Sequence, residues 1–190
     1  MMTDIHWIEW MALLFGLLYV YRAYRNQWDA WLFGIISCFL WAYASFAFYQ
    51  LYADAALQLF YVAMGFWGLY NWSPENDREI RITAMRSVEH FWTWTSGTIA
   101  AVLYALYLQH YTPASLPYAD AFTTVFAIWA TYWLVQRKKE NWLYWIVLNL
   151  AYTVIYFIKS AEIFLFITLI YLFMAILAWR KWSKTFKEAQ

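Results

Sequence analysis

Long apolar segments alternate with short polar ones along the whole chain. Each apolar segment approaches the ~20 residues that a helix needs to cross a bilayer. The regular polar–apolar alternation of a membrane strand is absent. The pattern therefore predicts an all-α integral membrane protein with seven transmembrane helices, at Ile5–Tyr21, Trp28–Tyr49, Ala53–Trp72, His90–Gln109, Tyr118–Gln136, Trp142–Ile158 and Ile163–Trp179.

Basic residues fall unevenly on the two sides that seven spans define. The side with loops 2–3, 4–5 and 6–7 carries only Lys159 among the 13 Lys and Arg residues. Because cytoplasmic loops are enriched in Lys and Arg, we predict a multi-pass inner-membrane protein with its N-terminus outside and its C-terminus in the cytoplasm. The basic residues of the cytoplasmic side are Arg22, Arg25, Arg78, Arg81, Arg86, Arg137, Lys138, Lys139, Arg180, Lys181, Lys184 and Lys187.

The composition leaves little chain for anything outside the membrane. Of the 190 residues, 65% are hydrophobic and only 13% are charged. Seven spans of ~20 residues leave roughly 50 residues for all loops, which excludes an extramembrane catalytic domain. A net charge of +1 argues against a nucleic-acid partner. The single cysteine, Cys38, cannot form an internal disulfide or a thiolate metal cluster.

The middle of each predicted span is free of ionisable residues. A proton-coupled pump needs a carboxylate or histidine relay at depth, and a retinal protein needs a mid-span lysine. A membrane hydrolase needs paired carboxylates, a Ser/His arrangement or a zinc motif. None of these patterns occurs, so we predict no catalytic residue, no metal site and no cofactor. Any transport is expected to be passive.

A tryptophan motif indicates an internal repeat. Trp-x-x-Trp opens span two at Trp28 and span six at Trp142, 114 residues later. The span that follows each of them leads to a further tryptophan, Trp72 at the end of span three and Trp182 after span seven. Corresponding helices of the two repeats are four spans apart in the chain, so they cross the bilayer in the same direction. We therefore predict two parallel three-helix bundles joined by span four.

The expected domains follow from this 3+1+3 arrangement. Residues 1–72 form the first bundle, and residues 73–110 form a cytoplasmic loop with the connecting helix. Residues 111–190 form the second bundle with a short basic tail. The loop between spans two and three is predicted near Asp54.

Span six carries the strongest candidate site. Trp142, Trp145 and Asn149 are spaced i, i+3 and i+7, so they share one helical face, and Tyr152 flanks it. Asparagine can hydrogen-bond a ribosyl hydroxyl or a ring amide, and aromatic side chains can surround a cationic ring. The alternative is that Asn149 only bonds a neighbouring helix, as polar residues in membrane bundles often do.

Span three carries a second stripe, which contains Gln58, Tyr61, Gly65, Gly68 and Trp72. The two glycines favour close helix contact, whereas Gln58 and Tyr61 could reach a ligand. Paired repeats place substrates near the midplane, where the repeats meet. We therefore expect the two stripes to contribute to one pocket.

These segments resemble the PnuC family of vitamin transporters. The resemblance is carried by Trp28–Trp72, with its Leu-Tyr-Ala-Asp-Ala-Ala-Leu-Gln run ending at Gln58 and its Gly-Phe-Trp-Gly run ending at Gly68, and by Glu140–Asn149 followed by Lys159 and Trp179–Trp182. It implies a seven-helix fold related to SWEET sugar transporters. It also implies that Trp142, Trp145, Asn149 and Gln58 contact the substrate.

The resemblance further implies a homotrimer in which each protomer has its own pathway. The substrate would be an unphosphorylated vitamin that enters by facilitated diffusion and is then trapped by a cytoplasmic kinase. Nicotinamide riboside is favoured and thiamine is the alternative, since both carry a cationic aromatic ring. A non-transporting membrane scaffold is a more distant alternative, which saturable ligand binding would exclude.

Overall fold

The structure is a computed structural model that describes residues 2–50, 52–75, 81–158 and 162–189. In these ranges the chain forms seven α-helices, so the predicted all-α fold is confirmed. The shortest has 18 residues and the longest 27, or about 27–40 Å at 1.5 Å per residue, enough to cross a hydrocarbon core. The helices are α1 (Met2–Tyr24), α2 (Ala30–Ala47), α3 (Tyr52–Trp72), α4 (Ser87–Tyr111), α5 (Pro117–Val135), α6 (Asn141–Ile158) and α7 (Glu162–Glu188).

Helix bounds agree with the predicted spans to within a few residues, with one exception at the end of α7. The helix α7 continues to Glu188, so the basic segment expected as a tail is helical as far as that residue. Asp54 lies in the first turn of α3, inside the predicted third span, and its carboxylate accepts a hydrogen bond from the Ser45 hydroxyl at the end of α2. Lys159 and Arg78 lie outside the described residues.

Three helices are apolar enough to cross a membrane by length and composition alone. They are α2, α6 and the Phe164–Glu188 part of α7. The other helices have similar lengths but carry more polar and aromatic residues, which membrane proteins bury against neighbouring helices or place at the interface.

The chain divides into two compact units, residues 1–80 and 81–190. In the first unit α2 packs against both α1 and α3, and in the second α6 packs against both α5 and α7. The helix α4, expected only as a connector, packs against α5 and belongs to the second unit. Its buried positions toward α5 are small residues, Thr93, Gly97, Ala101 and Ala105.

The two units share the same turn, which lies between α1 and α2 in the first unit and between α5 and α6 in the second. Asn26 and Arg137, which are 111 residues apart, both have positive φ, at 55° and 52°. Each donates a backbone hydrogen bond of 2.9 Å, to the carbonyl of Ala23 or of Leu134. The next helix begins 111 residues apart as well, at Ala30 and Asn141, and has 18 residues in both units. The internal repeat is therefore present in the described backbone.

The register of this repeat differs from the predicted one by three residues. The offset is 111 rather than 114, so Trp142 corresponds to Trp31 and not to Trp28. The two Trp-x-x-Trp motifs coincide in letters but not in structure, because hydrogen bonding in the turn sets the start of the helix. The residue equivalent to Trp145 is Gly34.

A pair of tryptophans joins α2 to α3 in the first unit and α6 to α7 in the second. Trp31 meets Trp72 edge to face with ring centroids 5.4 Å apart, and Trp142 meets Trp182 in the same way at 5.6 Å. All four side chains are buried. The indole N–H groups of Trp31 and Trp142 are both buried without an acceptor among the described residues. Edge-to-face pairs stabilise packing beyond their buried area, so each pair fixes one end of its unit.

Candidate substrate-binding residues

The predicted face of α6 divides into a packed end and a partly open part. Trp142 is only 3% exposed and lies against Trp182, whereas Trp145 is half-buried. Because the equivalent Trp31 makes the same contact with Trp72, the position of Trp142 is a property of the repeat. Trp142 thus makes a packing contact with α7, and its contact with a substrate stays a prediction that substitution can test.

The side chain of Asn149 is buried and forms one hydrogen bond to the backbone of its own helix, α6. Its side chain is 6% exposed, and Nδ2 donates to the carbonyl of Trp145 at 2.8 Å. This bond fixes the side-chain rotamer. A primary amide has two N–H donors and an acceptor oxygen, so a ligand could still be recognised through the rest of the group. The equivalent residue in the first unit is Cys38.

Tyr152 continues this face one turn further along α6. Its ring lies parallel to that of Tyr156, with centroids 6.1 Å apart, and it packs against the hydrophobic core formed by α5 and α6. Trp145 packs against the same core. The structure thus places Trp145, Asn149 and Tyr152 on one face of α6, where Asn149 is buried and the two aromatic side chains are half-buried.

The α3 stripe also divides into a packing part and a freer part. A Cβ atom on Gly65 would lie 2.5 Å from Ile35, and one on Gly68 would lie 2.2 Å from the Trp31 ring. The interpretation of these glycines as close helix contacts is therefore confirmed. Gln58 and Tyr61 are half-buried nearer the start of α3. They belong to the first unit, and Trp145 and Asn149 belong to the second.

The turn between α5 and α6 is held by the segment that precedes α4. Thr83 pairs with the turn through two backbone hydrogen bonds, to Arg137 at 3.0 Å and from Lys139 at 2.9 Å. Glu140 accepts a 2.8 Å hydrogen bond from the backbone N–H of Met85 and lies 2.8 Å from the Lys139 ammonium. Burial lowers the pKa of the Arg137 guanidinium to about 10, so it stays protonated at neutral pH.

A pocket that no sequence pattern indicates lies on the other side of α6. It contains His90, whose Nδ1 lies 3.2 Å from the hydroxyl of Tyr144. Trp94, one turn further along α4, lines it as well. The i, i+4 spacing of His90 and Trp94 was the available signal, but Tyr144 is 54 residues away from His90.

These features define a class of protein before any comparison. Long apolar helices, a repeated three-helix unit and a polar face in an uncharged helix are typical of a multi-pass membrane transporter built from parallel repeats. Among the described residues there is no group of His, Cys, Asp and Glu that could hold a metal ion.

Comparisons with known proteins specify the family. Residues 6–184 match the family described as nicotinamide mononucleotide transporters, and the chain belongs to that family. It is 24% identical to the nicotinamide riboside transporter PnuC of Escherichia coli K12, over 97% of this chain and 88% of that protein. It is 27% identical to the PnuC of Neisseria mucosa, over 96% of this chain and 74% of that protein.

A solved structure has the same fold. The crystal structure of the vitamin B3 transporter PnuC matches with a TM-score of 0.77 and 24% identity, covering 97% of this chain and 83% of that one. The expected family and the seven-helix architecture are therefore confirmed. The protein is a multi-pass membrane transporter and not an enzyme.

Proposed function

We propose that this protein carries nicotinamide riboside across the membrane by facilitated diffusion. The observation that carries the proposal is the half-buried face of Trp145, Asn149 and Tyr152 on α6, a helix without a single charged residue. Both named relatives are nicotinamide riboside transporters, and each matches this chain over nearly its whole length. Thiamine, the alternative from the sequence, gains no support from these relatives.

The chemistry of the face suits the riboside. Its pyridinium ring is flat and cationic, and the faces of Trp145 and Tyr152 attract such a ring. Its carboxamide and ribose hydroxyls are neutral hydrogen-bonding groups that the Asn149 amide can recognise. We propose that Gln58 and Tyr61 of α3 contribute further contacts, and that Trp142 supports the face through Trp182.

The lack of Lys and Arg in four of the described helices favours the riboside over the mononucleotide as the substrate. The helices α2, α3, α5 and α6 contain no Lys or Arg. A phosphate group would enter the membrane without a cationic partner, which is costly. A neutral ribose carries no such penalty.

The remaining expectations belong to the same proposal. Orientation with the N-terminus outside is supported by the distribution of basic residues. An inner-membrane location, a homotrimer and trapping of the product by a cytoplasmic kinase are supported by the family resemblance. Passive transport is supported by the lack of ionisable residues in the middle of α6.

Calorimetric titration of the purified full-length chain tests the proposal. Nicotinamide riboside should bind saturably, while thiamine and nicotinamide mononucleotide should bind at least tenfold more weakly. Trp145→Ala should weaken riboside binding five- to thirtyfold, since a cation–π contact contributes ~1–2 kcal/mol. Tighter binding of thiamine or of the mononucleotide would contradict the assignment, and no binding of any of them would favour the scaffold alternative.

A further inference from the structure

The second unit contains a pocket that the proposed transport site does not use. Its volume is about 180 Å³, several times the roughly 30 Å³ share of one water molecule. It lies between α4, α5 and α6, on the side of α6 away from Asn149. We call it the His90 pocket, and its walls include His90, Trp94, Phe122, Phe126, Tyr144 and Val147.

The mouth of the His90 pocket opens on an apolar surface. Val147, Leu143 and Trp94 line the pocket and are also exposed, and the neighbouring Phe91 on α4 is exposed too. In a bilayer such a surface meets hydrocarbon, where water has little access. The apolar part of such a cavity does not hold water stably. A lipid acyl chain can therefore enter the pocket sideways from the bilayer.

One end of the His90 pocket is polar and lies among basic residues. His90 and Tyr144 offer a ring nitrogen and a hydroxyl 3.2 Å apart. Arg86 is the residue immediately before the first turn of α4, four residues ahead of His90, and its side chain is 76% exposed.

The carboxylates near this end already have cationic or N–H partners. Glu89 lies 3.3 Å from Lys138 and 3.7 Å from the Nε of Arg86. Glu140, which also lines the pocket, pairs with Lys139 and accepts the Met85 N–H. Three cations thus face two carboxylates, which leaves net positive charge for an anionic group.

We propose that the His90 pocket binds one anionic phospholipid from the leaflet on the basic side of the membrane. One acyl chain fills the space between Phe122, Phe126 and Val147. The ester region reaches His90 and Tyr144, and the phosphate contacts Arg86. A zwitterionic phospholipid has the same chains but a neutral headgroup, so it binds more weakly.

Native mass spectrometry of the delipidated full-length protein tests this proposal. Phosphatidylglycerol and phosphatidylcholine with identical chains are titrated separately, and the first bound lipid is quantified per protomer. Val147→Trp fills the mouth and should weaken phosphatidylglycerol binding at least tenfold. Val154→Trp is the matched control, because Val154 is similarly exposed on the same face of α6, two turns away and outside the pocket lining.

The headgroup contact is tested by Arg86→Gln, with Lys184→Gln on α7 as the control at the same basic end. Arg86→Gln should reduce the preference for phosphatidylglycerol over phosphatidylcholine at least threefold, and Lys184→Gln should leave it unchanged. Thermal melting checks that each variant is folded, and phosphatidylglycerol should raise the Tm of the Val154→Trp variant but not that of Val147→Trp.

Three outcomes would overturn the proposal. Equal lipid retention in Val147→Trp and Val154→Trp would show that the pocket takes no chain. A change of oligomeric state in Val147→Trp alone would assign the pocket to a second copy of the protein. Displacement of the lipid by nicotinamide riboside would assign it to the substrate pathway. Failure of riboside binding with intact lipid retention would instead affect only the proposed function.

Discussion

The two tryptophans at the start of α6 should differ in what they do, and substitution can separate them. Trp142 is buried against Trp182, with ring centroids 5.6 Å apart and an interplanar angle of 82°. Truncating a packed tryptophan to alanine costs about 3–5 kcal/mol. For a chain of this size that corresponds to a Tm lower by about 6–20 °C. Trp145 is half-buried, and Trp145→Ala should lower the Tm much less.

Melting of detergent-purified protein, followed by size-exclusion chromatography after heating, measures the stability. Titration of the folded fraction with nicotinamide riboside measures the affinity. We expect Trp142→Ala to lose stability but to keep its affinity within about threefold. Trp145→Ala should lose five- to thirtyfold in affinity, the equivalent of ~1–2 kcal/mol.

The internal repeat supplies the control for this experiment. Trp31 makes the same edge-to-face contact with Trp72 and is 2% exposed. Trp31→Ala should therefore lower the Tm by about as much as Trp142→Ala. If Trp142→Ala melts like the wild type and binds the riboside poorly, the side chain faces the ligand and the packing argument is wrong.

Three further predictions concern the site, the fold and the topology. Asn149→Ala should weaken riboside binding by about 1–3 kcal/mol because a polar ligand group loses its partner away from water. Thr131→Val removes a similar buried bond to the helix backbone and should leave riboside binding unchanged. Equal riboside binding in both variants would show that Asn149 has only a structural role. Gly68→Ala places a methyl group 2.2 Å from the Trp31 ring and should cost about 1–3 kcal/mol of stability. Ala178 is buried four residues before Trp182, as Gly68 lies four residues before Trp72, and Ala178→Gly should cost only about 1 kcal/mol. A wild-type Tm for Gly68→Ala would contradict the contact. Reporter fusions should give cytoplasmic signals after α1, α3, α5 and α7 only, and a cytoplasmic signal between α4 and α5 would reverse the proposed orientation.

The helices could be predicted from the sequence because the length and apolar content of a segment identify a membrane helix. Each must satisfy its own backbone within the lipid, so its bounds depend mostly on local residues. The continuation of α7 to Glu188 is not evident from the sequence, because basic residues usually mark the end of a span although a helix can extend beyond the bilayer. The hydrogen bond between Asp54 and Ser45 could not be predicted either, because it depends on the adjacent helix.

The repeat and the site were only partly predictable, because both depend on contacts between distant residues. The repeat was found through its tryptophans, but its register follows from the positive φ of Asn26 and Arg137, which the letters do not reveal. The face of Trp145 and Asn149 follows from helical periodicity alone. The packing of Trp142 depends on Trp182, which is 40 residues further along the chain.

Counterflow in proteoliposomes tests the central claim most directly. Vesicles containing the purified protein are loaded with unlabelled nicotinamide riboside and diluted into a trace of labelled riboside, without any ion gradient. We predict transient accumulation of chemically unchanged label, which an imposed proton or sodium gradient does not increase because the middle of α6 has no ionisable residue. No accumulation of label above its equilibrium level, or accumulation that requires such a gradient, would contradict passive riboside transport.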